Sequence, residues 1–381
     1  MNSHANAPPL LFALVALAWA APARGQEASF VHRLGRDTMG VEQFTRSGNR
    51  LVGEVASRLG AAVTRLQYEV TIGSDGLPQG AIFRNRSAAG TPLPNQPGEI
   101  RLTFSRDSVK REAIFADSVS TRMLAATQGV PLQSPAFGLY EIPFAHMRQG
   151  NAQSATFAVV NTGGGNPGSV TFTAAGGDTI RASNGTVYRV DREGRVLAID
   201  ASNTTQKLMA SRSSERVDPA AVAGGMTAAG TLSQRGAAHA SFTRSVVFIN
   251  YGRPQVRERT VWGGTLVPPD TIWRAGANEA THLATSRAIS FGDVTLEPGL
   301  YTLWVFNASS GGPQLVINRQ VGQWGTQYDQ AQDIARIPMT LAAAPDHVEE
   351  FTITIRNLGG NRGAIDLAWG AQVATAEFGA R

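Results

Sequence analysis

Over most of this 381-residue chain, apolar positions recur with period two rather than 3.6. In LQYEVTI, Leu66, Tyr68, Val70 and Ile72 share one face while Gln67, Glu69 and Thr71 share the other, the pattern of an antiparallel strand with one side buried. Ile100, Leu102 and Phe104 alternate in the same way with Arg101, Thr103 and Ser105, as do Tyr188 and Val190 with Arg189 and Asp191. Tyr68 and Phe104 therefore read as core. GSDG at 73–76, SNGT at 183–186 and DREG at 191–194 supply the Asn, Asp and Gly of tight hairpins. A helical interruption fits SPAFGLYEIPFAHMRQG, although Pro143 argues against one long helix. The glycine-rich NTGGGNPGS at 161–169 lies between two strand patterns and reads as a long hairpin loop rather than a phosphate cradle.

Periodicity fails over 218–240, DPAAVAGGMTAAGTLSQRGAAHA, which reads as a linker with at most a short helix. Alternation resumes at SFTRSVVFINYGRP. In YTLWVF both faces are apolar, so Tyr301 and Trp304 read as core. The chain ends on two strand patterns, Phe351, Ile353 and Ile355, then Ile365, Leu367 and Trp369, joined through GGNRG. The expectation is an all-β protein of two domains: an antiparallel β-meander over 26–217, whose shape a half-open barrel would satisfy, and a β-sandwich over 241–381.

Residues 1–25 carry an apolar run followed by small residues and then polar ones, the order of a secretory signal with cleavage after Gly25. No Lys or Arg precedes the run. No later stretch approaches the roughly 18 apolar residues of a membrane span. The expected location is periplasmic or extracellular. The absence of cysteine excludes disulfides, thiolate metal sites and a thiol nucleophile. About 355 residues remain beyond the signal, enough for two cores at about one per 100–200 residues. The net charge of +5 comes almost wholly from arginine, with Lys110 and Lys207 the only lysines. These arginines sit singly on strands, so no nucleic-acid surface is expected.

Catalytic patterns are sparse. The six histidines have no ligand spacing, so neither a metal nor another cofactor is expected, and no nucleophile elbow, zinc-protease helix or P-loop occurs. DTMG at 37–40 places Met39 where an aspartic-protease turn needs glycine. The densest chemistry is VWGGTLVPPDTIWRAGANEAT at 261–281. Charged residues in such a setting are normally paired, because unpaired burial costs several kcal/mol.

NYGRP, WRAGANEAT, EPGLYTLWV and INRQVGQWGTQYD, in this order and at these spacings, resemble the bacterial domain-of-unknown-function family 2911 (DUF2911) over roughly residues 245–378. The resemblance implies an exported β-rich domain and no established activity. Arg253, Trp273, Arg274, Asn278, Glu279, Thr281, Trp324 and Tyr328 match its pattern. Pro269 departs from it, as do Asn250 and Gly252 beside Tyr251. The first half resembles only loosely the exported β-meander domains that precede such modules.

The first reading of this centre is a polar bracket of Arg253, Arg274, Asn278 and Glu279 anchored by Trp262 and Trp273. The second is a pocket for a small, lipidic or polyhydroxylated ligand, or an envelope partner, with Tyr251, Arg253, Trp273, Arg274, Asn278, Glu279, Trp324 and Tyr328 as candidate contacts. The third is a hydrolase acting on envelope or carbohydrate material with Glu279 as acid or base, helped by Asp270 or Asp329. His282 reads as a rim side chain. Non-enzymatic binding is the leading expectation.

Overall fold

The computed structural model describes residues 26–204 and 206–380. The signal segment expected over 1–25 lies outside the described residues. The chain is all-β, and its first fifteen strands form one sheet. Alternation translates directly into burial: in Thr64–Ile72, Leu66, Tyr68, Val70 and Ile72 are buried and their neighbours are half-exposed.

The order of strands is less direct. From Gln26–Leu34 at the centre, seven further strands run outward, each antiparallel to the last, to Val119–Ala125 at one edge. The chain then crosses to Gly129–Val130 at the other edge and works back to Met209–Ser213. That last strand pairs with the first, Phe30 opposite Arg212. One parallel contact occurs, between Gly129–Val130 and Ser154–Val159. Parallel neighbours need a long crossover, and the intervening residues 131–153 supply it.

That crossover is the plug of the domain. A 3-10 turn, Phe137–Tyr140, leads into helix α1, Glu141–Gln149. Pro143 lies in the first turn of α1, where a missing N–H costs no helical bond. Ile142, Phe144, Ala145 and Met147 are buried, and Phe144 meets the rings of Phe172 and Tyr188 at 4.8 and 5.0 Å. The sheet curves around this plug without closing. Arg111, near one edge, donates to the Thr162 carbonyl in the glycine-rich loop near the other at 2.8 Å.

Two buried carboxylates fix the plug. Glu42, from the sheet, accepts from Tyr68 Oη at 2.6 Å and from the backbone N–H groups of Phe137 and Gly138 at 2.7 and 3.0 Å. Glu141, from the plug, accepts from the Val196 N–H at 3.1 Å and pairs with Arg212. Burial pushes the Glu141 carboxyl up, against the pull of Arg212. Burial and the negative Glu42 push the Tyr68 hydroxyl well above its ordinary value.

Helix α2, Pro219–Gly225, is capped by Asp218, which accepts from the Ala220 and Ala221 N–H groups. It lies in the stretch read as linker, but so does the start of a strand, Gln234–Ser241, which pairs along its length with Val246–Arg253. QRGAAHAS hides its strand character because it forms a sheet edge with small side chains that make no apolar alternation.

The second domain is a sandwich of a seven-stranded and a four-stranded sheet. Val247, Ile249, Leu303, Val305, Leu315 and Ile317 from one meet Phe351, Ile353, Ile365, Leu367 and Trp369 from the other in a single core. The second face of YTLWVF is covered as well: Trp304 packs with Ala280, Val316 and Tyr328.

Replacing Glu42 by Ala leaves two backbone N–H groups and a hydroxyl without an acceptor inside the core. The expected loss is about 3 kcal/mol or more of unfolding free energy, measured by urea denaturation. A loss below about 1 kcal/mol would show that Glu42 does not hold the plug.

Candidate functional site

Between the strands Val246–Arg253 and Thr281–Thr285 the chain makes one long connection, with the two-residue strand Ile272–Trp273 pairing on Val305 and Phe306 within it. Its start docks on the first domain: Arg257 pairs with Asp37, and Glu258 with Arg36. Its middle is anchored by indoles. Trp273 stacks on Trp369 with ring centroids 5.4 Å apart, and Trp262 meets Trp273 edge-on at 6.1 Å.

The connection is strained at its start and its end. Arg257, Glu258, Asp270, Ala275 and Asn278 all hold positive φ without being glycine. Such conformations cost on the order of 1–3 kcal/mol each and persist only where neighbours impose them. At Ala275 and Asn278 those neighbours are present: Thr281 Oγ1 donates to the Ala275 carbonyl at 2.7 Å and the Gly325 N–H donates to the Asn278 carbonyl at 2.9 Å. Close approach also explains two glycines. A Cβ on Gly252 would lie 2.1 Å from the Ala277 oxygen, and one on Gly325 would lie 2.6 Å from the Asn278 oxygen and 2.4 Å from Arg274 Cδ. WRAGANEA is thus clamped between the strand that ends in Arg253 and the QWG segment.

This loop forms one wall of a cavity of about 490 Å³ between the two domains. Leu34, Leu59, Lys207 and Leu208 line it from the first domain and Leu232 from the connecting segment. Arg257, Arg259, Leu266, Trp273, Arg274, Asn278 and Trp369 line it from the second. Among the described residues, no carboxylate pairs with Lys207, Arg259 or Arg274. Arg259 donates to the carbonyls of Val256 and Gln255 at 2.9 and 2.7 Å, and Arg274 reaches only the Asn278 carbonyl at 3.4 Å.

The electrostatic consequence falls most heavily on Lys207. Burial, then the charges of Arg274 and Arg259, bring its ammonium down to about 8, against the opposite pull of Asp200. Burial and the neighbouring Arg257 bring Arg259 down to about 10, and burial lowers Arg274. The indole N–H of Trp369 is buried without an acceptor.

The structure divides the sequence candidates into separate places. Trp273, Arg274 and Asn278 line the interdomain cavity. Tyr251 is buried between the two sheets, its hydroxyl accepting from the Ile353 N–H at 2.9 Å. Arg253 pairs with Glu350 at 2.9 Å. Glu279 is half in solvent and meets Arg235 at 3.5 Å. Neither suggested helper bonds to Glu279: Asp270 accepts from the Ser309 N–H, and Asp329 caps the 3-10 turn Gln330–Gln332. Tyr328 donates to Asp333 at 2.5 Å beside Trp304. Trp324 stands exposed at a second cavity. His282 accepts from the Gly322 N–H at 3.0 Å.

Of the expected bracket, Trp262 does meet Trp273 and Arg274 does reach Asn278, while Arg253 and Glu279 have other partners. Sequence reasoning did not find Lys207, Arg259 or Trp369. The one available signal was that Lys207 is among only two lysines in the chain.

Residues 233–378 match the family model described as "Protein of unknown function (DUF2911)", so the second domain, with the strand that opens it, is similar to that family. No curated protein matches the chain in sequence. Among solved structures, the crystal structure of a DUF1089 family protein from Pseudomonas aeruginosa aligns at a TM-score of 0.30 and 16% identity, over 50% of this chain and 95% of that one. A likeness that weak carries no argument about fold or activity.

Because Lys207 titrates lower in the folded chain than in the unfolded one, the unfolded state binds more protons between pH 8 and 10.5, and stability gained from this group rises with pH there. Replacing Lys207 by Met should therefore raise the apo-protein's Tm at pH 7, by about 2–4 °C. The gap between wild type and variant should narrow as pH rises past 8. A gap that stays constant from pH 7 to 10 would place Lys207 in ordinary solvent.

Proposed function

We propose that the chain is an exported, non-enzymatic binding protein and that an anionic amphiphile occupies the cavity between its domains. One observation carries the reading: Lys207, Arg259 and Arg274 line that cavity and, among the described residues, no carboxylate pairs with any of them, whereas Arg257 beside them is paired with Asp37. Half-buried cations crowded together repel one another and are poorly hydrated, so an anion between them relieves both costs. Arg274, as a planar fork, suits a head group with two oxygens, a carboxylate or a phosphate.

Apolar contacts define the rest of the ligand. Leu34, Leu59, Leu208, Leu232, Leu266 and Trp273 supply walls for a hydrocarbon or ring portion. A volume of about 490 Å³ falls within the range of about 300–1,000 Å³ usual for small-molecule sites. Both domains contribute walls, so occupancy would also stiffen the seam. Export rests on the pattern of residues 1–25.

The dye 1-anilinonaphthalene-8-sulfonate, anionic and apolar, is a direct probe. Its fluorescence should saturate at one site per chain, dodecanoate should displace it, and Arg274→Gln should weaken it about tenfold at unchanged Tm. Affinity should also fall as pH rises past 8, where Lys207 loses its charge. Absence of saturable binding, or equal binding by the variant, removes the proposal.

A further inference from the structure

We infer that the second cavity, between Trp324 and the plug of the first domain, is a binding site for a neutral sugar. Its volume is about 520 Å³, and none of its lining side chains is charged, although 17% of the chain is. In place of charge it has aromatic faces and groups that hydrogen-bond without charge. Trp324 is 41% exposed; Tyr140 and Tyr188, stacked at 5.2 Å, line the same cavity, Tyr188 being buried beneath Tyr140's partly exposed ring.

The amides point to the same chemistry. Asn184 accepts from the Thr186 N–H at 3.0 Å and Gln206 accepts from Ser134 Oγ at 2.9 Å, which occupies their oxygens. Their NH₂ groups make no hydrogen bond among the described residues, and neither does the side chain of Asn203. All three amides are exposed, so their donors face solvent in the same cavity as the exposed Trp324 and are free to meet a ligand there. A pyranose matches that combination: its axial C–H face packs on an aromatic ring and its hydroxyls accept from amide donors. A charged ligand would find nothing here to balance it, in contrast with the cavity lined by Lys207 and Arg274. Gln206 lines both cavities, and the two otherwise use different residues. The inference therefore stands or falls independently of the anionic site.

Calorimetric titration of the full chain with maltose, cellobiose and N,N′-diacetylchitobiose, followed in parallel by tryptophan fluorescence, tests it. At least one of these should bind with one-to-one stoichiometry below about 10 mM. Trp324→Ala should weaken that sugar about tenfold, and Asn203→Ala, a substitution at an exposed position, should weaken it with Tm unchanged. Arg274→Gln should leave it as it was while weakening the anionic dye. No binding by any of the three sugars, retained binding in both Trp324→Ala and Asn203→Ala, or a preference for galacturonic over neutral disaccharides would overturn the inference.

Discussion

A buried carboxylate organises the first domain. Glu42 sits at zero solvent exposure, and three donors satisfy it, two of them backbone N–H groups of the plug. A carboxyl group at that depth is tolerable only while those donors are in place, so the position of Phe137 and Gly138 is tied to the strand Asp37–Ser47. The sheet then has a filled concave side rather than an empty cup. The same pair of central strands carries Arg36 and Asp37 at its turn, and these hold Glu258 and Arg257 of the second domain. One hairpin thereby links the plug, the sheet and the interdomain seam.

The chemical density of the 261–281 connection has a similar physical origin. Its tryptophans stack at the end of the sandwich, Ala275 and Asn278 with their positive φ are held by Thr281 and Gly325, and Arg274 lies half-buried at the seam. Polar loop backbone and strained torsions are maintained by packing on two sides. The cost is a group of cations that, among the described residues, pair with no carboxylate, Arg259 and Arg274 reaching only carbonyls.

The similarity to the DUF2911 family covers residues 233–378, whereas each cavity takes part of its wall from before residue 233. Both cavities are therefore features of this pair of domains rather than of the matched segment alone. Lys207 and Leu208 of the first cavity, and Tyr140 and Tyr188 of the second, all come from the first domain.

Much of the architecture was legible from residue pattern. Alternation in 66–72 and 100–105 marked buried faces, Asn and Gly marked hairpins, and Pro143 marked a helix that could only be short. The edge strand 234–241 was not legible, because small side chains on an edge leave no periodic trace. Trp273, Arg274 and Asn278 stood out by chemical density, yet Lys207 and Arg259 did not, since nothing near them in sequence announces their meeting. The sequence by itself determined secondary structure, the faces of strands and the residue types available for chemistry, because those depend on local torsions and on period-two burial. Only the tertiary structure decided that the last strand of the first sheet returns beside the first, and that cations 67 residues apart, Lys207 and Arg274, share one cavity. Period two assigns each residue a face, but the neighbour across that face is set by the path of the whole chain.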